Sequence, residues 1–305
     1  MNKNLTTILS VLVVVAFIGY IIYDTSRPGA GETAEPGRKA ADGPPDMWTI
    51  SDAMTVREGK PDAVAVSAGR LYAAGASFVS AYDSNLTRVW SVNPGFPVTA
   101  LCISGDTLFA ATAEVVLLLD HGGKIIDEWG PFEDKSYITS VASNRSHVVY
   151  ADAGNKMVVV LDKHGRVMKI IGQNDGQFVL PSPYFDVAID REDNLYIANT
   201  GHRRIETRSL QGQLISMFGE PGLAPGAFCG CCNPAHFALV PQGFITAEKG
   251  INRIKILGGS GDFTEFVSSR NRFQPSVPVD VASEDGKVIY AANPSDSKIY
   301  KFIRK

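Results

Sequence analysis

The sequence has no strong charge bias and no feature typical of nucleic-acid binding. Its 305 residues include 29 Lys and Arg against 32 Asp and Glu, for a formal net charge of −3. A basic stripe with interleaved aromatic residues, the usual footprint of a nucleic-acid-binding surface, is missing. A chain of this length is long enough for one large domain or two medium ones with a packed core.

Helical periodicity is also missing from the body of the chain. From Met47 onward, no run of 11 or more residues shows apolar positions at helical spacing. Apolar runs of four to seven residues, rich in Val, Ile, Tyr and Phe, alternate instead with Gly, Asn and Asp. Short β-branched and aromatic runs between turn residues are typical of strands, so the body is predicted to be all-β.

The beginning of the sequence differs from the body, because residues 5–23 carry no charge over 19 positions. About 20 apolar residues span a bilayer as a helix, whereas the apolar part of a secretory signal has about 7–15. No clear A-x-A cleavage site follows, so residues 1–23 are predicted to be an uncleaved signal anchor that forms a transmembrane helix. A long cleaved signal peptide is the alternative. Both place the body on the periplasmic or extracellular side of the cytoplasmic membrane.

Residues 24–46 consist mainly of Pro, Gly, Ala and charged residues without apolar periodicity. Such a segment buries too little apolar surface to offset the entropy lost on folding. It is predicted to be a flexible linker.

The body, residues 47–305, contains an internal repeat. Its clearest unit is "FDVAIDREDNLYIANTGHRRIETRSLQGQLISMFG" at 185–219, with four strand-like pieces joined by polar turns. Equivalent small residues recur at spacings of 37–50, at Ala65, Cys102, Ala142, Ala188, Ala238 and Ala282. Units of one four-stranded blade at this spacing predict a six-bladed β-propeller. The last unit, 279–305, has only three strands, so residues 47–54 are predicted to supply the fourth and close the ring.

Three segments carry a family resemblance: "AIDREDNLYIANTGHRRIETRSLQGQLISMFG" at 188–219, "EKGINRIKI" at 248–256 and, more loosely, "DAGNKMVVV" at 152–160. They are similar to NHL repeats, in which a small-residue strand precedes a D/N-x-G-N/H-x-R-I pattern. The connections "GQNDGQFVLPSPYF" and "GEPGLAPGAFCGCCNPAHF" also resemble the G-x-F-x-P connection of that family. The resemblance implies a six-bladed propeller but no particular function, since propellers serve binding, scaffolding and catalysis alike.

In a propeller, the loops into the innermost strands and the ends of the second strands open on the same face. Polar residues that the repeat places there form the predicted ligand-binding set: Asp152, Asp186, Asn199, Arg203, Glu248, Arg253, Asp280 and Asn293. Convergent polar groups at the mouth of a channel are typical of a binding site. Individually, the Asp and Asn side chains also suit turn caps, and the arginines also suit surface ion pairs.

Three of the 4 cysteines and one of the 5 histidines lie in "FCGCCNPAHF" at 228–237. Cys229, Cys231, Cys232 and His236 are ligands of the type that zinc or copper(I) favours, and they form the candidate metal site. A disulfide within this loop is the equal alternative in an oxidising compartment. The remaining cysteine, Cys102, occupies the small-residue position of the second blade and is predicted to be a buried hydrophobe.

These features predict a membrane-tethered binding or scaffold module whose channel mouth receives a small ligand or a protein partner. One alternative is a metal-dependent hydrolase, because six-bladed lactonases, which share this architecture, hold a divalent ion with carboxylate and amide groups. Asp186, Asn199, Glu248 and Asn293 are of the type that such an ion requires. A third hypothesis makes the cysteine loop a metal or redox accessory site. No recognisable catalytic set decides among them.

Overall fold

In a computed structural model, the described residues are 44–173, 175–230, 232–269, 272–274 and 277–305. The predicted signal anchor at 1–23 and nearly all of the predicted linker lie outside these residues. Within the described ranges, no helix is long and apolar enough to span a membrane.

The body is a six-bladed β-propeller, as the repeat predicts, and each blade is a four-stranded antiparallel sheet. The first strand is β1 (Trp48–Thr55). Blade one contains β2 (Ala63–Ser67), β3 (Arg70–Gly75), β4 (Phe78–Tyr82) and β5 (Arg88–Val92). Blade two contains β6 (Ala100–Ser104), β7 (Thr107–Ala111), β8 (Val116–Leu119) and β9 (Ile125–Trp129). Blade three contains β10 (Ile138–Ser143), β11 (His147–Asp152), β12 (Met157–Asp162) and β13 (Val167–Gly172).

The other three blades repeat this plan. Blade four contains β14 (Val187–Ile189), β15 (Leu195–Asn199), a short 3-10 helix (Thr200–His202), β16 (Arg204–Arg208) and β17 (Leu214–Phe218). Blade five contains β18 (His236–Val240), β19 (Gly243–Ala247), β20 (Ile254–Gly258) and β21 (Phe263–Ser268). Blade six contains β22 (Asp280–Ala282), β23 (Val288–Asn293) and β24 (Lys298–Arg304).

Blade six is completed by the first strand of the body, and this confirms the predicted ring closure. Strand β1 pairs antiparallel with β24, from Trp48 opposite Arg304 to Thr55 opposite Lys298. The Trp48 side chain is buried, and its Nε1 donates a hydrogen bond to Glu265 Oε1 at 2.9 Å. Because β1 covers the outer edge of the last sheet, the two ends of the propeller protect each other.

The apolar core lies between adjacent blades. Val158 and Val160 of β12, for example, share one buried cluster with Phe185 and Ile197 of blade four. Middle strands such as β3, β8 and β12 are almost wholly buried, as their runs of Ala, Val, Leu and Ile require. This packing fixes each blade against its neighbours and so fixes the geometry of the central channel.

One recurring contact joins the outer strand of a blade to a turn of the next blade, and it occurs between blades one and two, two and three, and four and five. Gly165, in the turn between β12 and β13, has φ +78° and lies against the Trp129 ring of blade two. A Cβ added at Gly165 would stand 2.6 Å from that ring. Gly123 meets Trp90 and Gly261 meets Phe218 in the same way. The turn glycines are therefore needed for close packing between blades as well as for backbone conformation.

Replacing Gly165 with Ala is expected to lower stability more than the same change at Gly176. Gly176 also has a positive φ, +86°, but no atom lies within 4 Å of its added Cβ. Both variants carry a backbone cost of about 1–2 kcal/mol, and Gly165→Ala adds an overpacking cost of about 1–3 kcal/mol. Thermal unfolding of the two variants measures the difference. Equal melting temperatures would show that the Trp129 contact contributes nothing.

Candidate functional site

The innermost strands of the blades enclose a central cavity of about 270 Å³. Its wall combines apolar side chains, such as Val64, Val141 and Val187, with polar groups in similar measure. The polar side chains collect where the inner strands begin. The cavity is therefore a small pocket of mixed polarity with convergent polar side chains at one mouth, and such side chains are usual in a ligand site.

One structural position at the start of the inner strand repeats in every blade. Its occupants in blades one to six are Ala63, Ala100, Ser140, Asp186, His236 and Asp280. Blades one and two thus present methyl groups, whereas blades four, five and six present a carboxyl, an imidazole and a carboxyl. In the sequence, Asp186, His236 and Asp280 each stand two residues before the recurring small residue of their repeat, and the structure brings these three side chains together.

The imidazole of His236 lies between the two carboxyl groups. Its Nδ1 is 3.7 Å from Asp280 Oδ1 and 3.9 Å from Asp186 Oδ2. These distances are too long for hydrogen bonds. The side chains are only partly exposed, at 20% for His236, 11% for Asp186 and 18% for Asp280. Two carboxyl groups therefore face one imidazole across short gaps in a sheltered position.

Each carboxyl group is held by backbone amides of two blades. Asp186 accepts hydrogen bonds from its neighbour Val187 N at 2.9 Å and from Phe237 N of blade five at 2.7 Å. Asp280 accepts from Val281 N and, across to blade one, from Val64 N, both at 2.8 Å. These bonds fix the position of both carboxyl groups.

Burial raises the pKa of both carboxyl groups. It raises the pKa of Asp280 to about 6, and the nearby charge of Asp186 acts in the same direction. The pKa of Asp186 is also raised, mainly by burial, while the charge of His236 opposes the shift. Perturbed carboxyl groups in a cavity are frequent at functional sites, although structural networks also produce them.

Ser140 occupies the equivalent strand-start position in blade three, and the sequence analysis did not include it in the predicted set. Its hydroxyl donates a hydrogen bond to Asp186 Oδ1 at 2.5 Å. The signal was available, because Ser140 stands two residues before Ala142 as Asp186 stands two before Ala188.

Tyr184 and Lys249 were also missed by the sequence analysis. The ring of Tyr184 is 6.3 Å from that of His236, and Lys249 Nζ is 4.6 Å from the centre of the Tyr184 ring.

Three residues of the predicted ligand-binding set anchor the loops that lead into the inner strands. Asp152 Oδ1 accepts from Tyr137 N at 2.9 Å, and Asn199 Oδ1 accepts from Val179 N at 3.0 Å. Glu248 Oε2 accepts from Cys229 N at 3.0 Å. All three anchoring side chains are buried.

Arg253, Asn293 and Arg203 have different surroundings. Arg253 is buried, and its guanidinium donates to Glu248 and to the carbonyl of Ala227. Asn293 accepts from Ser295 within its own turn. Arg203 has a left-handed backbone with φ +55°, and its buried Nε has no hydrogen-bond partner among the described residues. Of the predicted set, Asp186 and Asp280 line the cavity.

The cysteine loop is only partly described, because Cys231 lies outside the described residues. Cys229 is a buried free thiol that lies 3.8 Å from the Lys249 carbonyl and 3.7 Å from Asn233 Nδ2. Cys232 is also buried. Among the described residues, no group of three His, Cys, Asp or Glu side chains is placed to hold a metal ion. The soft-metal and disulfide hypotheses stay predictions.

Cys102 differs from its predicted environment, because it lines the central cavity and is partly exposed there. Burial by the surrounding protein still raises the pKa of its thiol to about 11. The thiol is therefore protonated at neutral pH and behaves as a small apolar group in the cavity wall.

Comparison with solved structures shows the same fold at low sequence identity. A protein of unknown function from Bacteroides thetaiotaomicron matches with a TM-score of 0.62 at 14% identity, over 85% of this chain and 76% of that chain. Catalytically inactive virginiamycin B lyase from Staphylococcus aureus, solved with quinupristin, matches with a TM-score of 0.58 at 15% identity, over 85% and 100%. The Pan2 WD40 domain of Neurospora crassa matches with a TM-score of 0.57 at 11% identity, over 85% and 98%.

These likenesses establish the class of protein. The chain is a six-bladed β-propeller with an acidic and imidazole-bearing channel mouth, and its structural neighbours include both WD40 domains and lyases. Its sequence matches no protein-family model and no curated protein. The NHL resemblance is therefore not confirmed at the level of the family.

Asp280→Asn is expected to stabilise the protein at pH 8 relative to the parent chain, and to have little effect at pH 4. A carboxyl whose pKa is higher in the folded than in the unfolded chain costs stability as the pH rises from about 4 through 6. The pKa of about 6 against the usual 3.8 sets an upper limit of about 3 kcal/mol on the gain at pH 8. The amides of Val64 and Val281 bond more weakly to a neutral side-chain amide than to a carboxylate, and this reduces the gain in stability. Chemical unfolding at both pH values measures the effect, and an equal loss of stability at both would contradict the raised pKa.

Proposed function

We propose that this protein is a binding module whose channel mouth receives a positively charged group of a small ligand beside Asp186 and Asp280. The observation that supports the proposal is the row of carboxyl, imidazole and carboxyl groups on adjacent blades. Blades one and two carry alanine at the same position. The fold therefore does not require charged residues there.

The chemistry of the row favours a cation. Ionised carboxylates only accept hydrogen bonds, and an ammonium group offers three donors, so one such group can bond to both carboxylates. Several lone pairs of Asp186 and Asp280 are already used by backbone amides, which hold the remaining ones in fixed directions. Apolar side chains in the wall, such as Val141 and Val187, suit an aliphatic or aromatic part of the ligand. A cavity of about 270 Å³ favours a small molecule over a folded partner.

Binding of amines to the full-length chain tests this proposal. At pH 7.5, a panel of small primary amines is expected to contain ligands that raise the melting temperature, by the stabilisation that ligand binding to the folded state gives. Asp186→Asn and Asp280→Asn should each weaken this binding at least tenfold. Lowering the pH to 5 should weaken it too, because a carboxyl with a pKa of about 6 is mostly protonated there.

Asp106→Asn is the matched control, since Asp106 is 99% exposed and contacts His121, away from the cavity. It removes the same charge and should leave binding unchanged. If no cation binds, or if Asp186→Asn and Asp106→Asn behave alike, the channel mouth does not select cations and the proposal is wrong.

Acid–base catalysis at the same mouth is a second candidate function. It is favoured by the position of His236 Nδ1, less than 4 Å from two carboxyl groups at the edge of a cavity. An imidazole in such a place has the chemistry of a general acid or base. The likeness to virginiamycin B lyase concerns the fold, at 15% identity. Chemical conversion of a bound amine that persists in Asp106→Asn and is lost in His236→Ala would distinguish catalysis from simple binding.

We also propose that residues 5–23 anchor the protein in the cytoplasmic membrane, with the propeller on the outer side. The support is the uncharged stretch of 19 residues followed by a Pro- and Gly-rich segment. The protein is expected to stay in the membrane fraction after an alkaline wash, with the propeller accessible to protease from outside. A soluble product that begins within residues 24–46 would show a cleaved signal peptide instead.

A further inference from the structure

The side chain of Lys163 lies near the ends of the inner strands, whereas Asp186, His236 and Asp280 lie at the starts. It lies in the turn between β12 and β13. This turn is held by Asp162 Oδ1, which accepts from His164 N at 2.9 Å and from Arg166 N at 3.0 Å. The Nζ of Lys163 lies 2.6 Å from Ser143 Oγ and 3.4 Å from Ser104 Oγ. These serines are the last residues of β10 and β6, the inner strands of blades three and two.

The ammonium group of Lys163 is half-buried and has only uncharged contacts. Besides the two hydroxyls, its Nζ lies 5.4 Å from the centre of the Phe109 ring. No carboxylate among the described residues lies within ion-pair distance of it. Lys255, by contrast, is fully buried and has Glu248 Oε1 at 3.1 Å. Burial lowers the pKa of Lys163, and the nearby Cys102 thiol opposes this shift only in part.

The fold itself does not require a lysine at this position. The same turn recurs in the first five blades, with a backbone hydrogen bond such as Asp162 N to Arg166 O. The residues at the Lys163 position in blades one to five are Ser84, His121, Lys163, Leu210 and Gly259. A partly buried positive charge without a counter-ion costs free energy. Its presence in one blade alone therefore points to a ligand that supplies the negative charge.

We propose that Lys163, held in place by Ser104 and Ser143, forms a binding site for a small oxyanion, a carboxylate or phosphate group, where the inner strands of blades two and three end. The lysine has three N–H donors, of which two point to the serine hydroxyls and one is left for the ligand. Both hydroxyls already donate to backbone carbonyls, Ser143 Oγ to His147 O at 2.9 Å and Ser104 Oγ to Asn144 O at 3.2 Å. The remaining lysine N–H is therefore the group that bonds to the anion. Ser143 stands three residues after Ser140 on β10, or roughly 10 Å along the strand. The oxyanion site is therefore separate from the proposed cation site and does not depend on it.

Titration of the full-length chain with inorganic phosphate and with acetate tests the site. At least one of the two anions should bind saturably, as measured by isothermal titration calorimetry. Lys163→Met should weaken this binding at least tenfold, whereas Lys163→Arg should change it less than threefold because the charge is kept. Anion binding should also raise the pKa of Lys163, which NMR of the lysine side chain reports directly. Preference for one of the anions identifies the ligand group.

Lys287→Met is the matched control, because Lys287 is 83% exposed and removal of its charge changes the net charge equally. It should leave the binding of both anions unchanged. Equal binding by Lys163→Met and Lys287→Met, or no saturable binding of either anion, would overturn the proposal. If Lys163→Met unfolds, the double variant Ser104→Ala with Ser143→Ala serves instead and should weaken binding at least threefold. Failure of cation binding at Asp280 leaves these outcomes unaffected.

Discussion

Antiparallel pairing between β1 and β24 closes the propeller, and the other features of the molecule depend on this closure. The pairing runs along the whole of β1, from Trp48 to Thr55. It joins the beginning of the body to its end and places blade six beside blade one. Only in the closed ring can Asp280 of blade six accept a hydrogen bond from Val64 of blade one. The central cavity likewise exists only because inner strands from all six blades surround it.

The polar residues of the propeller fall into two physical classes. Asp152, Asn199 and Glu248 are buried, and each accepts a hydrogen bond from the backbone of a loop that leads into an inner strand. Their burial is compensated, because such bonds replace those lost to water. Asp186 and Asp280 are compensated less completely, as the raised pKa of each shows. The channel mouth therefore carries a cost in stability that the loop anchors do not, which is typical of residues retained for function.

Charge is also unevenly distributed along the channel. Carboxyl groups stand at the start of the inner strands, and the Lys163 ammonium contacts serines at their end. The wall between these ends includes Val141, Val187 and Cys102. The two ends of the inner strands therefore present charged groups of opposite sign.

The sequence by itself determined the strand order, the number of blades and the closing strand, because short apolar runs and turn residues repeat at blade spacing. It also placed Asp186, His236 and Asp280 at equivalent strand starts, since alignment of repeats gives register. The sequence did not separate these residues from Asp152, Asn199 and Glu248, because a polar residue at a strand end looks the same whether it faces a cavity or a loop. Only the tertiary structure decided this, through the hydrogen bonds that the loop backbones donate. It also brought Lys163 beside Ser104, since that contact joins two blades and 59 residues of chain.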